Sequence, residues 1–129
     1  MGDNVQFVQD AFVTFNQADV EGLTKIIADD AVQHMPGNGR YAGDHVGRDA
    51  ILAMYGGLGE ATGGTFRAEL GDVAAVDDRT VTAQYRATGT RDGATLDSPR
   101  SITFTIEDGR IVDLLDQDDD VAAWDRFFG

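Results

Sequence analysis

The residues best placed to do chemistry are carboxylates near the C-terminus, in the stretch from Gly109 to Asp120 that reads Gly-Arg-Ile-Val-Asp-Leu-Leu-Asp-Gln-Asp-Asp-Asp. The stretch leaves an Asp108-Gly109 turn as a strand, and side chains two apart on a strand share a face. If Val112 and Leu114 face a core, Asp116 and Asp118 face it as well. A carboxylate held there is desolvated. Its pKa then rises toward neutrality, and it can exchange a proton with a carbon acid or a hydroxyl. Asp118, one step further along the same face, would raise it more by like-charge repulsion. The competing reading of the same residues is a solvated acidic loop, with the strand ending before Asp116.

Other side chains would complete such a site. His34, beside Met35 at a His-Met-Pro-Gly corner, is a second titratable group that would face the Asp116 strand. Arg100 shares its parity with Ile102 and would meet either an anionic oxygen of a ligand or the acids Asp116 and Asp118. Tyr55 and Tyr85 would bring hydroxyl donors or pack as core aromatics. Met35, Ile102 and Leu114 would supply apolar wall. The cluster from Asp116 to Asp120 lacks the ligand spacing of a calcium loop, and there is no cysteine for a thiolate site, so neither metal nor cofactor is expected.

The elements that must position these residues fall into two halves. Behind Asp3 or Asn4 as a cap, Val5, Val8, Phe12 and Phe15 recur at helical spacing. Asp19 caps a second short helix with Val20, Leu23, Ile26 and Ile27, closing at Asp29-Asp30. Residues 31–35 read as a short strand ended by Pro36-Gly37, and a glycine-rich loop leads to a third helix from Arg48. From Thr65 the period changes toward two. Segments 65–76, 80–90, 94–107 and 110–117 read as four strands joined by tight turns at Asp77-Asp78, Asp92-Gly93 and Asp108-Gly109. Val121, Trp124 and Phe128 mark a last short helix that must pack on its own sheet or on a neighbour.

The whole, residues 1–129, reads as one α+β domain in which helices lie across the concave face of a curved antiparallel sheet and leave an internal pocket. The apolar fraction of 42%, with seven Phe, three Tyr and one Trp, is that of a globular chain. Its formal charge of −13 argues against nucleic acid or an anionic membrane as partner. No apolar run is long enough to span a bilayer, and the start lacks a basic segment followed by an apolar one, so a cytoplasmic protein is expected.

Several local patterns, in order, resemble a known family. They are the helix end at residues 27–32, the His34-Met35-Pro36-Gly37 corner, Tyr41-Ala42-Gly43, and the helix start at residues 47–51. Further on come Thr90-Arg91-Asp92-Gly93, the segment 104–112 around Asp108-Gly109, and the Ala123-Trp124-Asp125-Arg126-Phe127 tail. Together they resemble the nuclear transport factor 2-like superfamily in its SnoaL-like branch, related to polyketide cyclases and ketosteroid isomerases. The resemblance implies a cone-shaped α+β barrel with a deep pocket for a hydrophobic small molecule, commonly dimeric through the outer face of the sheet.

Position by position, the general base of the isomerases would fall at Met35, their helix tyrosine at Ala11 and their hydrogen-bonding acid at Ile102, none of which fits. The acid that related cyclases carry on the last strand matches Asp116. Three classes follow. The first is a cofactor-free general acid-base enzyme on a carbonyl compound, of cyclase, isomerase or dehydratase (lyase) type, with Asp116 as proton carrier and His34 and Asp118 assisting. The second is an epoxide hydrolase-like water addition by Asp116, Asp118 and Arg100. The third is a binding protein without chemistry.

Overall fold

The structure, a computed structural model, describes residues 4–129; the cap position Asp3 lies outside them. Helix α1, Asn4–Asn16, buries Val8, Ala11 and Phe12. It ends at Ala18, which takes a φ of 54°, and the Asp19 carboxylate then accepts from the Gly22 amide to cap α2, Val20–Ile26. The sequence pattern carries this helix through Ile27 to Asp29-Asp30. Instead the backbone is extended from Ile27 (φ −100°, ψ 125°), and strand β1 runs Ile27–Met35. Ile27 is β-branched and lies opposite Ile111 in the sheet, a pairing that overrides the helical pattern.

Strand β2, Gly43–Val46, has no counterpart in the pattern, because four mostly exposed residues in a glycine-rich loop carry no alternation. Helix α3 spans Arg48–Ala61. The meander follows as β3, Arg67–Ala75, β4, Thr80–Arg91, β5, Ala94–Glu107, and β6, Arg110–Asp118. Two of its turns, at Asp92-Gly93 (φ 50° and 83°) and Asp108-Gly109 (φ 53° and 73°), have the paired positive φ angles that suit a right-twisted hairpin. The tail forms α4, Val121–Phe128, capped by Asp120.

The sheet order is β2-β1-β6-β5-β4-β3. The meander is antiparallel throughout, as expected, whereas β1 joins β6 in parallel, so the sheet is mixed as well as curved and unclosed. Helix α1 packs on β3 and β4, α3 on β1, and α4 on β5. Between helices and sheet lie two apolar clusters, one around Val8, Ile51, Val81 and Leu114, the other around Met54, Phe66, Trp124 and Phe128. Helix α4 therefore buries its aromatic face against its own sheet. Among the described residues no helix is long and apolar enough to cross a membrane.

Candidate active site

Cross-strand register assembles the site. Tyr85 on β4 lies opposite Arg100 on β5, and Arg100 opposite Asp118 on β6. In the next row Ala83, Ile102 and Asp116 are aligned, and Gln33 on β1 lies opposite Leu114. A bulge near Val112 resets the alternation along β6. Ile111, Leu114 and Asp116 turn inward, while Asp113 turns outward. The strand has therefore not run out into a solvated loop at Asp116, which is only 3% exposed.

The Asp116 carboxylate receives two short hydrogen bonds. Gln33 Nε2 donates to Oδ2 at 2.7 Å, and the Tyr85 hydroxyl donates to Oδ1 at 2.6 Å. The Tyr55 hydroxyl donates to Gln33 Oε1 at 2.5 Å, which leaves only the amide nitrogen to face Asp116. Behind Tyr85, Arg100 Nε donates to the phenolic oxygen at 3.1 Å and lies 3.9 Å from Asp116 Oδ1. Arg100 Nη1 donates to Asp118 Oδ2 at 2.6 Å, and its guanidinium lies 3.9 Å from the centroid of the Trp124 ring. Asp118 also accepts from Ser98 Oγ and from the Asp120 amide, joining this row to the start of α4.

Burial is the chief influence on Asp116 and raises its pKa. The Arg100 charge and the bonds from Tyr85 and Gln33 oppose the rise, and repulsion from Asp118 adds a lesser upward push. Burial likewise pushes both tyrosine hydroxyls up, with the nearby Asp116 charge acting in the same direction. The result is one carboxylate displaced toward neutrality between two hydroxyls that stay protonated.

An apolar cavity of about 70 Å³ opens onto this carboxylate. Asp116, Tyr55, Tyr85, Met35, Ile102 and Leu114, all anticipated from the sequence, line it together. Arg100 was expected to meet either a ligand oxygen or the acids Asp116 and Asp118, and it is the pairing with an acid that forms; Asp118 was expected to assist in proton transfer. Both lie behind the wall, with side chains fully buried against each other, and fix Tyr85 and α4. His34 is placed elsewhere. It alternates with Gln33 and Met35 along β1, so it projects from the outer face, where Nδ1 meets Asp44 at 2.7 Å and Nε2 meets Asp113 at 2.9 Å. The expectation that it assists Asp116 is corrected by this parity.

The residue that sequence reasoning missed is Gln33. The signal was available, since Ala31 and Met35 are the apolar members of that strand's inward face and Gln33 lies between them. Trp124 reads from the sequence as a packing residue only; it also lines the cavity.

Residues 8–114 match the SnoaL-like domain. The chain belongs to the SnoaL-like family. Over 125 residues this SnoaL-like chain is 34% identical to an uncharacterised protein of Mycobacterium tuberculosis, covering 97% of this chain and 95% of that one. It superposes with a TM-score of 0.95 on a protein from a soil-derived mobile gene cassette, 40% identical, covering 98% and 96% of the two chains. A candidate polyketide cyclase from Sinorhizobium meliloti is 27% identical with a TM-score of 0.71, covering 87% of this chain and 94% of that one. The fold is of the small-molecule cyclase and isomerase type.

Proposed function

We propose that the protein is a cofactor-free acid-base enzyme that moves a proton at the carbon beside a carbonyl of a hydrophobic small molecule, in an isomerisation, aldol-type cyclisation or dehydration. The observation that carries this reading is Asp116, a buried carboxylate with a raised pKa on the wall of an apolar cavity. The likeness to a candidate polyketide cyclase agrees with a carbonyl-rich, apolar ligand.

The hydrogen bonds suggest how charge is handled. In the resting site Tyr85 donates its proton to Asp116. When Asp116 takes a proton from carbon, the new O–H can donate back to the phenolic oxygen. That frees the Tyr85 hydroxyl hydrogen for the enolate oxygen formed at the same moment. Arg100, donating to the phenolic oxygen, makes Tyr85 a stronger donor. Tyr55 holds Gln33 so that its amide keeps the carboxylate in place. By this reading Asp116 and Tyr85 touch the substrate, and Gln33, Arg100 and Asp118 are positioning residues.

Proton exchange tests it directly. The α-hydrogens of acetophenone in D₂O are expected to exchange faster with the protein present, and Asp116→Asn to remove about 10²- to 10⁴-fold of that acceleration. Aryl ketone that binds without exchange, and binds equally well to Asp116→Asn, would establish the non-catalytic reading instead. A cytoplasmic homodimer formed through the outer sheet face, where Leu115 is 41% exposed, completes the proposal. Light scattering reads that part.

A further inference from the structure

The cavity beside Asp116 is too small for the ligand that its walls suggest. About 70 Å³ is under half of the roughly 150 Å³ that holds one benzene ring in an engineered protein core. A cyclic ketone needs more room than this. Directly outside lies a second space of about 300 Å³, a largely apolar groove between the α1–α2 corner and the C-terminal half of α3. Phe15, Leu23, Tyr55 and Phe66 line both spaces. Three of these are aromatic and meet edge to face, Phe15 with Tyr55 at 5.0 Å and with Phe66 at 6.0 Å, so one row of rings is the wall that the two spaces share.

A second observation concerns α3. Gly56 and Gly59 face the groove. Neither has a positive φ, and a Cβ added at either would meet nothing within 4 Å. Their neighbour Gly57 differs, because a Cβ there would come within 3.1 Å of the Tyr41 ring. Glycine weakens a helix interior, and at positions 56 and 59 neither backbone geometry nor packing requires it. At these two positions α3 places no side chain in the groove.

We infer that the groove is the second half of the binding site. It takes the apolar body of the ligand, a hydrophobic ring or alkyl chain, whose carbonyl end sits at Asp116. Phe15 and Phe66 move aside to admit it while Tyr55 keeps its hydrogen bond to Gln33, and Gly56 and Gly59 set the size limit. This rests on the ligand class of the proposed function and extends it to a size and a direction of entry.

Trp124, the one tryptophan of the chain, lines the cavity and reports occupancy by fluorescence quenching. The probes are acetophenone and 4′-hexylacetophenone, titrated into the wild type, Gly59→Leu and Gly56→Leu, with Gly59→Ala as a folding control. Wild type is expected to bind the hexyl ketone at least tenfold more tightly than acetophenone. Each leucine variant should lose at least tenfold for the hexyl ketone and several-fold less for acetophenone, whose single ring reaches only the inner end of the groove, while the alanine variant melts higher than wild type. Equal affinity of the wild type for the two ketones overturns the inference, and so does full hexyl affinity in the folded leucine variants. The chemistry stands or falls apart from this. Chain-length discrimination without α-hydrogen exchange removes the acid-base reading and keeps the groove; exchange without discrimination does the reverse.

Discussion

Two acidic clusters lie back to back on the sheet, separated by the thickness of one strand. On the concave face Asp116 is held by Gln33 and Tyr85; on the convex face Asp113 and Asp44 hold His34. Gln33 and His34 are consecutive residues of β1, and Asp113 and Asp116 belong to one strand, β6. Nevertheless the physics differs. Burial dominates Asp116 and disfavours its charge, whereas hydrogen bonds to Asp113 and then Asp44 dominate His34 and favour its charge. Which face a carboxylate takes thus decides whether burial drives its own pKa up or it serves to hold a surface histidine.

The comparison breaks most readily on activity. Asp116→Asn is expected to lower ketone exchange by about 10² to 10⁴, while Asp113→Asn, with the same chemical change on the other face, leaves the rate within about twofold. Comparable losses in both would mean that the inward position of Asp116 carries no chemistry.

A finer test uses Tyr85. Its hydrogen bond lowers the Asp116 pKa, so Tyr85→Phe should raise that pKa and move the acidic limb of the exchange–pH profile, where Asp116 ionises, to higher pH. The maximum rate should fall about tenfold or more as the enolate loses its donor. An unmoved profile would show that Tyr85 is only packing.

The same two faces mark what the sequence reveals. Period-2 alternation locates the meander strands and four of the cavity-lining residues, Tyr85, Ile102, Leu114 and Asp116, because long strands with one apolar side repeat the signal many times. It fails at short elements. Five residues from Ala31 to Met35 carry too few apolar positions for parity to outweigh the chemical attraction of a histidine, so the pattern favours His34 over Gln33. It also extends helix α2 into β1, because Ile26 and Ile27 suit either period, and only the distant partner Ile111 decides. Arg100 and Asp118 show a further gap. Parity gives their face correctly, and pairing with an acid is one of the two readings open for Arg100, but parity does not show that the pair lies behind the cavity wall rather than in it.

Stability against pH sharpens the contrast. Because the folded pKa of Asp116 is raised above its ordinary value of 3.8, the wild type binds this proton more readily when folded. The associated stability is fully present below about pH 4 and is lost as pH rises through the folded pKa, at about 1.4 kcal/mol for each tenfold gain in proton affinity on folding. Asp116→Asn cannot charge. It should therefore gain on the wild type by several degrees of Tm between pH 4 and pH 8.

The smallest effect belongs to the convex cluster. His34 also has a raised folded pKa, so its contribution is present below about pH 6.5 and is lost as pH rises through the folded value. Both clusters thus lose stability in the alkaline direction, and their windows separate them, one opening near pH 4 and the other near pH 6.5. The His34 side chain is 36% exposed and Asp44 62%, so solvent screening limits the pair to about 1 kcal/mol or less. His34→Gln should lower Tm by a few degrees at pH 6 and by nothing measurable at pH 9. Salt divides the two further, because 1 M NaCl screens the exposed His34 pairs and leaves the buried Asp116 charge nearly untouched. A pH 6 deficit in His34→Gln that survives 1 M NaCl would show that His34 acts through packing of β1 against β2 and β6 rather than through charge.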